Sequence, residues 1–422
     1  MRVAVGSTPI HPRLNTNHRK KTMLTDHDLS KLDALIGQFF TIENTTYGDA
    51  KQPFIARYKG QLKHKDSAKG YDQIAAALEV YDLMAILRQD GRTQSLVLLP
   101  KSVKNSKSRP YLNILMFLLT LISVLFTGGL YGYEGELSSD TAQMIWALIK
   151  SGWPFAVSLL AILGSHEFGH YFAGKKNGVD VSLPFFIPFP LSSFGTMGAF
   201  INMRSLPRNR RVLFDIAVVG PLSGLIIAIV VLIIGLNLSE LNTLPLSADT
   251  GIGLQMEGSS LLYLLLKYLT FGKLLPQPPG LSGLSLAVYW AQYFFTGMPF
   301  PWGAQDVMLH PVAWAGWAGL FVTAINLLPI GQLDGGHIFQ TVFGKKTAQL
   351  AFPVIIGGLA ILGFFWSGWW MWAGILFFMG RRYAEPLDQV TQLDATRKWL
   401  GYLAVVIFLL TFIPVPINLI GF

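Results

Sequence analysis

The sequence predicts a polytopic α-helical membrane protein of about seven to nine spans, counted on window length, with a small N-terminal α+β soluble domain and a re-entrant hairpin near a candidate active site. Three observations lead there. Of 422 residues, 51% are hydrophobic and only 14% charged, with a mean hydropathy of +0.43, outside the range of ordinary soluble domains. Apolar stretches close to the ~20 residues that cross hydrocarbon recur from Tyr111 onward, with Lys and Arg at alternating ends. Before them, residues 28–100 have a soluble composition with short amphipathic periods.

The formal net charge is +9. Its basic residues sit in the N-terminal region and in short loops beside apolar segments, which is the pattern of membrane orientation, so no nucleic-acid partner is expected. The chain has no cysteine, which removes disulfides, thiolate metal sites and thiol nucleophiles. Reactive groups must therefore come from His, Asp, Glu, Ser or Thr.

Residues 1–27 read as a flexible basic tail, since the first 24 carry five Lys or Arg and no acid. Residues 28–108 read as the soluble α+β domain, with helical patterns at Leu29–Phe40 and Tyr71–Leu87 and strand-like runs at Phe54–Tyr58 and Ser95–Leu99. Lys101–Pro110 is the linker. Residues 109–422 form the membrane domain, with 150–340 as its core.

Tyr111–Leu130 is the first span. Lys101, Lys104, Lys107 and Arg109 precede it and Glu134, Glu136 and Asp140 follow it, which puts the N-terminal domain on the cytosolic or stromal side of a plasma or thylakoid/chloroplast membrane. Trp153–Phe172 returns inward to Lys175 and Lys176, and Val212–Leu236 leaves again after Arg204, Arg208, Arg210 and Arg211. Leu261–Phe271 and Leu284–Phe295 are short and broken, so they either cross as a pair or lie partly re-entrant. Pro311–Leu333 runs inward, Ala351–Trp366 outward, Trp369–Phe378 inward and Trp399–Leu419 outward. The aromatic cluster Phe364–Trp372 reads as an interfacial belt. Asp215 reads as a loop charge paired with Arg208, Arg210 or Arg211.

His166-Glu167-Phe168-Gly169-His170 falls inside the second span. Residues four apart share a helix face, so the two imidazoles can meet one ion with Glu167 beside it. Burying two imidazoles and a carboxylate in an apolar span is costly without a shared partner. Catalytic zinc takes three protein ligands and keeps a fourth position open, so one ligand must come from elsewhere. Asp334 is chosen: Pro329, Gly331, Gly335 and Gly336 surround it and break the helix at the end of an apolar run, on the same membrane side as the histidine pair. His337 and His310 are rival ligands read as structural. Two histidines and one carboxylate suit zinc best, one ion per chain, with iron(II) or cobalt(II) also compatible by ligand type.

Four stretches, in order, resemble the site-2 protease family of intramembrane metalloproteases, in particular the cyanobacterial and chloroplast group with an N-terminal soluble domain. They are His166–His170, the hairpin Gly195-Thr196-Met197-Gly198-Ala199-Phe200, the segment from Phe214 and Asp215 through Gly220 and Pro221 to Gly224, and Asn326 to Pro329 leading into Leu333-Asp334-Gly335-Gly336. The resemblance covers roughly residues 150–340. Gly331 stands where many relatives carry a second proline, which bears on local backbone shape.

The resemblance implies that His166, His170 and Asp334 are zinc ligands, Glu167 the catalytic residue, and Asn326 a substrate-facing polar group. It implies hydrolysis of peptide bonds in or near transmembrane segments of membrane-protein substrates, within the lipid bilayer. Such a substrate must be unwound, because its carbonyls are held in helical hydrogen bonds. Pro184, Pro188 and Pro190 forbid a regular helix, so Gly195, Thr196 and Gly198 belong to an extended edge that could receive a substrate strand. The alternative is a membrane transporter that passes metal ions or protons along intramembrane His, Glu and Asp.

Overall fold

The computed structural model describes residues 26–49, 52, 54–101, 110–133, 135, 139–247 and 254–420. Residues 1–25 of the basic tail, most of the linker, Glu134 and Glu136 lie outside them. The chain divides into two compact units. One runs to Val103 and takes in Leu387–Thr391; the other holds Lys104–Pro386 and Gln392–Phe422.

The first unit is α+β. Helix α1 (Asp26–Phe39) leads into strands β1 (Phe40–Tyr47) and β2 (Ala56–Leu62), then α2 (Ser67–Leu78), β3 (Leu83–Asp90) and β4 (Thr93–Pro100). The antiparallel sheet has the order β1-β2-β4-β3. Leu32, Ile36, Phe40, Tyr58, Ile74 and Leu96 form its core. The helix expected over Tyr71–Leu87 stops at Leu78, and Asp82 takes a left-handed φ of 53° before β3 begins. Leu83, Ala85 and Leu87 alternate inward along the strand. Over so few residues the helical and strand periods select the same leucines, and the tight turn at Asp82 decides between them. Residues 387–391 pair beside β3 in parallel, with Leu87 N donating to Leu387 O (2.9 Å) and Gln389 N to Leu87 O (3.0 Å). An otherwise open sheet edge is thereby covered.

The second unit is mainly helical. Its helices are α3 (Pro110–Gly132), α4 (Thr141–Lys176), α5 (Arg210–Asn237), α6 (Leu261–Phe271), α7 (Gly283–Thr296), α8 (Pro311–Asn326), α9 (Asp334–Phe343), α10 (Lys345–Leu362), α11 (Gly368–Met379) and α12 (Ala395–Thr411). Among the described residues, α3, α4, α5 and α10 are long and apolar enough to cross a membrane. Helix α4 begins twelve residues before the span expected at Trp153. Asp140 caps it by accepting from Ala142 N at 2.8 Å, and Pro154 is tolerated inside it. Small residues let the helices close up: a Cβ on Gly152 would stand 2.0 Å from the Leu125 carbonyl of α3, and one on Gly235 would stand 2.2 Å from Ala313 N of α8.

Short strands tie the ends of these helices. β5 (Phe185–Pro188) and β6 (Thr196–Phe200) form a hairpin; β7 (Glu240–Thr243) pairs with β9 (Gln305–Met308), and β8 (Leu254–Glu257) with β10 (Ile417–Ile420). The apolar run expected over Pro311–Leu333 is helical only to Asn326, and a turn over 327–333 then starts α9 at Asp334. Gly331 makes this turn with φ +52°, and a Cβ there would stand 2.3 Å from Gly380 Cα. Proline is locked near φ −65°, so this position demands glycine.

Candidate metal centre

The last third of α4 carries His166, Glu167 and His170, all buried with 5–6% exposure. One turn separates the histidines, and their rings lie 4.8 Å apart at 72°. Asp334 comes 164 residues later, as the first residue of α9. His166 Nε2 and His170 Nε2 are 3.1 Å apart, His170 Nε2 and Asp334 Oδ2 are 3.1 Å apart, and His166 Nε2 and Asp334 Oδ2 are 3.2 Å apart. The three donors thus make a nearly equilateral triangle. Among the described residues no other group of three ligand-type side chains converges in this way.

The tautomer of His170 follows from its second nitrogen. Nδ1 lies 2.8 Å from the Ile216 carbonyl of α5, which can only accept, so Nδ1 carries the hydrogen and Nε2 offers a lone pair to the triangle. A lone pair and a carboxylate at 3.1 Å repel unless a cation or a proton lies between them. A tetrahedral zinc with nitrogen and oxygen ligands at about 2.0–2.1 Å holds them about 3.3 Å apart. The donor set and its spacing therefore fit zinc.

Helix α5 forms the wall behind the histidines. Ile216, Gly220 and Gly224 follow at intervals of four and so share one face. A Cβ on Gly220 would stand 2.1 Å from His170 Nε2, and one on Gly224 would stand 3.1 Å from His166 Cβ. Ser223 Oγ donates to Ser165 O at 2.8 Å, adding a second polar tie between the helices. Sequence reasoning did not give α5 this role. Two glycines four apart after a charged helix start were the signal available.

The remaining candidates are more scattered. His337 is buried in α9, and its Nδ1 has no hydrogen-bond partner among the described residues. His310 caps α8, accepting from Val312 N at 3.2 Å, away from the triangle in the chain's β9–α8 junction. Asn326 is half-buried at the end of α8. Gly195 (φ +71°) stands where a Cβ would come within 2.7 Å of Ser123 O of α3, and Ser123 Oγ donates to Gly195 O. Thr196 is buried, and its hydroxyl donates to Ile187 O (2.7 Å) and accepts from Gly198 N (3.0 Å), so its side chain is committed inside the hairpin. Gly198 has φ +97°. Asp215 is paired with Arg397 of α12, while Arg210 donates to Thr341 O and Arg211 to Gln392 O. The pairing expected within the neighbouring arginine cluster is replaced by one with a residue 182 positions away.

An apolar helical core around two histidines and a carboxylate defines the class: a membrane protein with a metalloenzyme-type site. Residues 154–362, which hold this core, match the model of Peptidase family M50. Among curated proteins, it is 26% identical over 92% of its length to "Probable zinc metalloprotease EGY2, chloroplastic" of Arabidopsis thaliana, of which the match covers 66%. It is 31% identical over 65% of its length to "Probable zinc metalloprotease EGY1, chloroplastic" of the same plant, covering 45% of that protein. The corresponding EGY1 protein of Oryza sativa subsp. japonica is 32% identical over 64% of the chain, with 42% of its own length covered. The chain therefore spans between under half and about two thirds of the length of these relatives. No solved structure matches it.

Proposed function

We propose that this protein is an intramembrane zinc metalloprotease that hydrolyses peptide bonds in or near transmembrane segments of membrane-protein substrates. The observation that carries this reading is the His166, His170 and Asp334 triangle with Glu167 beside it in the same helix. The match to Peptidase family M50 and the probable zinc metalloproteases among its relatives support it. Metal transport would call for donors spread along a path, whereas these three close on one point.

Seven crossings fit the elements: α3, α4, α5, α8, α10, α11 and α12. Pairing of β7 with β9 returns residue 308 to the end of α5, so α6 and α7, which lie between them, need not cross. Residues 238–310 then stay on one face, and β10 brings the end of α12 to the same face. Lys175, Lys176, Arg208, Lys346, Arg381 and Lys398 mark the other face as cytosolic or stromal. His170 lies six residues from Lys176, about 9 Å below that surface. Residues 28–108 would sit on that side as a soluble domain.

His166, His170 and Asp334 would hold the ion. A zinc ion held there would supply Lewis acidity, able to polarise a scissile carbonyl and to bring the pKa of water toward ~7. Glu167 is the proton carrier: it takes a proton from the attacking water and returns one to the leaving amine. Burial of Glu167 among apolar helices keeps bulk water from competing for that proton.

The substrate must present an extended peptide. β5 covers one edge of β6, and the other edge can receive an unwound segment by strand addition. Met197 and Phe200 are 67% and 47% exposed, offering apolar contacts to such a strand. Asn326, Gly195 and Gly198 are the substrate-facing candidates, with Thr196 contributing through its backbone.

The test is zinc analysis of the purified chain together with cleavage of a single-span substrate by wild type and Glu167→Gln. Cleavage that survives in the mutant, or a wild type without bound zinc and indifferent to chelators, overturns the proposal.

A further inference from the structure

We infer that Asp215 and Arg397 are positioning residues for the metal centre, acting on His170 through the backbone of α5; this rests on the metal-site reading above. Arg397 grips Asp215 with both arms of its fork, Nε to Oδ1 and Nη2 to Oδ2, each at 2.7 Å. Its remaining arm donates to Asp394, the residue that caps α12 by accepting from Arg397 N at 2.9 Å. The guanidinium is thus fixed to the start of α12 and clamps α5 at one point. The next residue along α5 is Ile216, whose carbonyl receives the Nδ1 hydrogen of His170 at 2.8 Å.

At 100° per residue, Asp215 lies about 140° around α5 from Gly220 and about 180° from Gly224. The clamp therefore holds α5 from the side opposite the face that meets the histidines. Backbone atoms lie about 2.3 Å from a helix axis, so a rotation of roughly 20° shifts them by about 0.8 Å. A shift of that size along the bond would lengthen the Ile216–His170 contact to about 3.6 Å, beyond hydrogen-bond range. The same rotation would swing Gly220, which has no room to spare against His170 Nε2. Arg210, five residues before Asp215, donates to Thr341 O at 2.7 Å and so ties the same end of α5 to α9, the helix that begins with Asp334. Both ligand-bearing helices are therefore referenced to one stretch of α5, and the Asp215–Arg397 pair sets its rotation.

The side chains of the pair are 25% and 30% exposed, so its attraction is partly screened by solvent. Its fork geometry is what a point charge cannot reproduce. A pair of the same kind without this link serves as the control: Lys345 and Glu385 pair elsewhere in the unit, without the bidentate contact to α5.

The experiment measures zinc in the full-length protein in detergent micelles, as affinity by chelator competition and as rate of release, for wild type, His166→Ala, Asp215→Ala, Arg397→Lys and Glu385→Gln. Loss of an outer partner of a metal ligand costs tenfold to a hundredfold in affinity. Asp215→Ala should release zinc at least about tenfold faster, Arg397→Lys should fall between it and wild type, and Glu385→Gln should match wild type. The melting temperature of zinc-stripped Asp215→Ala should stay that of the zinc-stripped parent, which separates positioning from general destabilisation. Zinc held by Asp215→Ala within twofold of wild type, or equal loss from Glu385→Gln, overturns the inference. Arg397→Lys decides alone if Asp215→Ala does not fold, and unaltered zinc binding by it then overturns the inference. Wild type that binds no more zinc than His166→Ala defeats the metal-site reading and this inference together; zinc bound by wild type and unaltered by the Asp215 and Arg397 changes defeats this inference only.

Discussion

Gly220 of α5 lies directly behind His170 of α4, so close that a Cβ on the glycine would stand 2.1 Å from the ring's Nε2. A single methyl group there cannot coexist with the observed ring position. Gly220→Ala should fold, since alanine favours helices, yet bind zinc at least about tenfold more weakly. Zinc titration of the purified variant, with circular dichroism for helix content, checks this.

Glu167 is assigned to proton transfer and not to holding the ion. Glu167→Gln keeps the shape and removes the base, so zinc content should remain at the wild-type level. The rate of peptide cleavage should fall by about 10²–10⁴-fold. Parallel metal analysis and single-turnover cleavage distinguish the two effects.

Asp334 contributes the one charged donor of the triangle. In Asp334→Asn the amide presents a neutral oxygen or an NH₂ to two imidazole lone pairs. Zinc affinity and cleavage should fall together, in contrast with Glu167→Gln, and added zinc should partly restore activity.

The hairpin carries a prediction about substrate. Gly195→Ala introduces a Cβ 2.7 Å from Ser123 O at a residue with φ +71°, which should loosen the hairpin from α3. If β6 receives the substrate strand, KM should rise several-fold with zinc affinity unchanged. Unchanged KM, with altered protease sensitivity confirming that the hairpin moved, would remove the strand-addition role.

Lys267 of α6 lies 3.8 Å from both Glu257 and Asp306, so one basic side chain serves two buried carboxyl groups. Loss of hydration pushes the Glu257 carboxyl up from its ordinary 4.5 to about 7, against the attraction of Lys267, and burial raises Asp306 as well. Tyr263 donates to Glu257 at 2.8 Å, and Tyr289 and Tyr293 pack nearby on α7. The folded state therefore holds the Glu257 proton more tightly than the unfolded chain. Its contribution to stability, on the order of a few kcal/mol at ~1.4 per unit, is fully present below about pH 4.5 and is lost as pH rises through about 7. Melting temperature should fall between pH 5 and pH 8 in the wild type, and Glu257→Gln should flatten that slope.

The candidate site was largely legible in the chain because its chemistry is local. His166 and His170 share a helix face by spacing alone, and Asp334 sits in a helix break that proline and glycine announce. Other features were not legible, for reasons that differ. β3 hid inside a helical period because Leu83 and Leu87 satisfy both patterns. Helix α4 started earlier than the apolar window, since Asp140 capping extends a helix through residues too polar to count as a span. Asp215 lay beside three arginines in sequence and paired with Arg397, while Arg211, four residues before it on the same helix face, donates to Gln392 O and Arg210 to Thr341 O, so partners far along the chain decided the pairing.

By itself the sequence determined the solvent of this protein, the periodicity of its helices and the residue types able to hold a metal, all of which follow from composition and from spacings within one turn. Tertiary structure alone decided that three donors up to 168 residues apart meet within 3.2 Å. It also decided that Ile216 orients one of them, that Gly220 makes room for its ring, and that residues 387–391 close the edge of an N-terminal sheet. Those relationships depend on how helices rotate and approach one another, and that is fixed by packing summed over the whole core, which no short window of sequence contains.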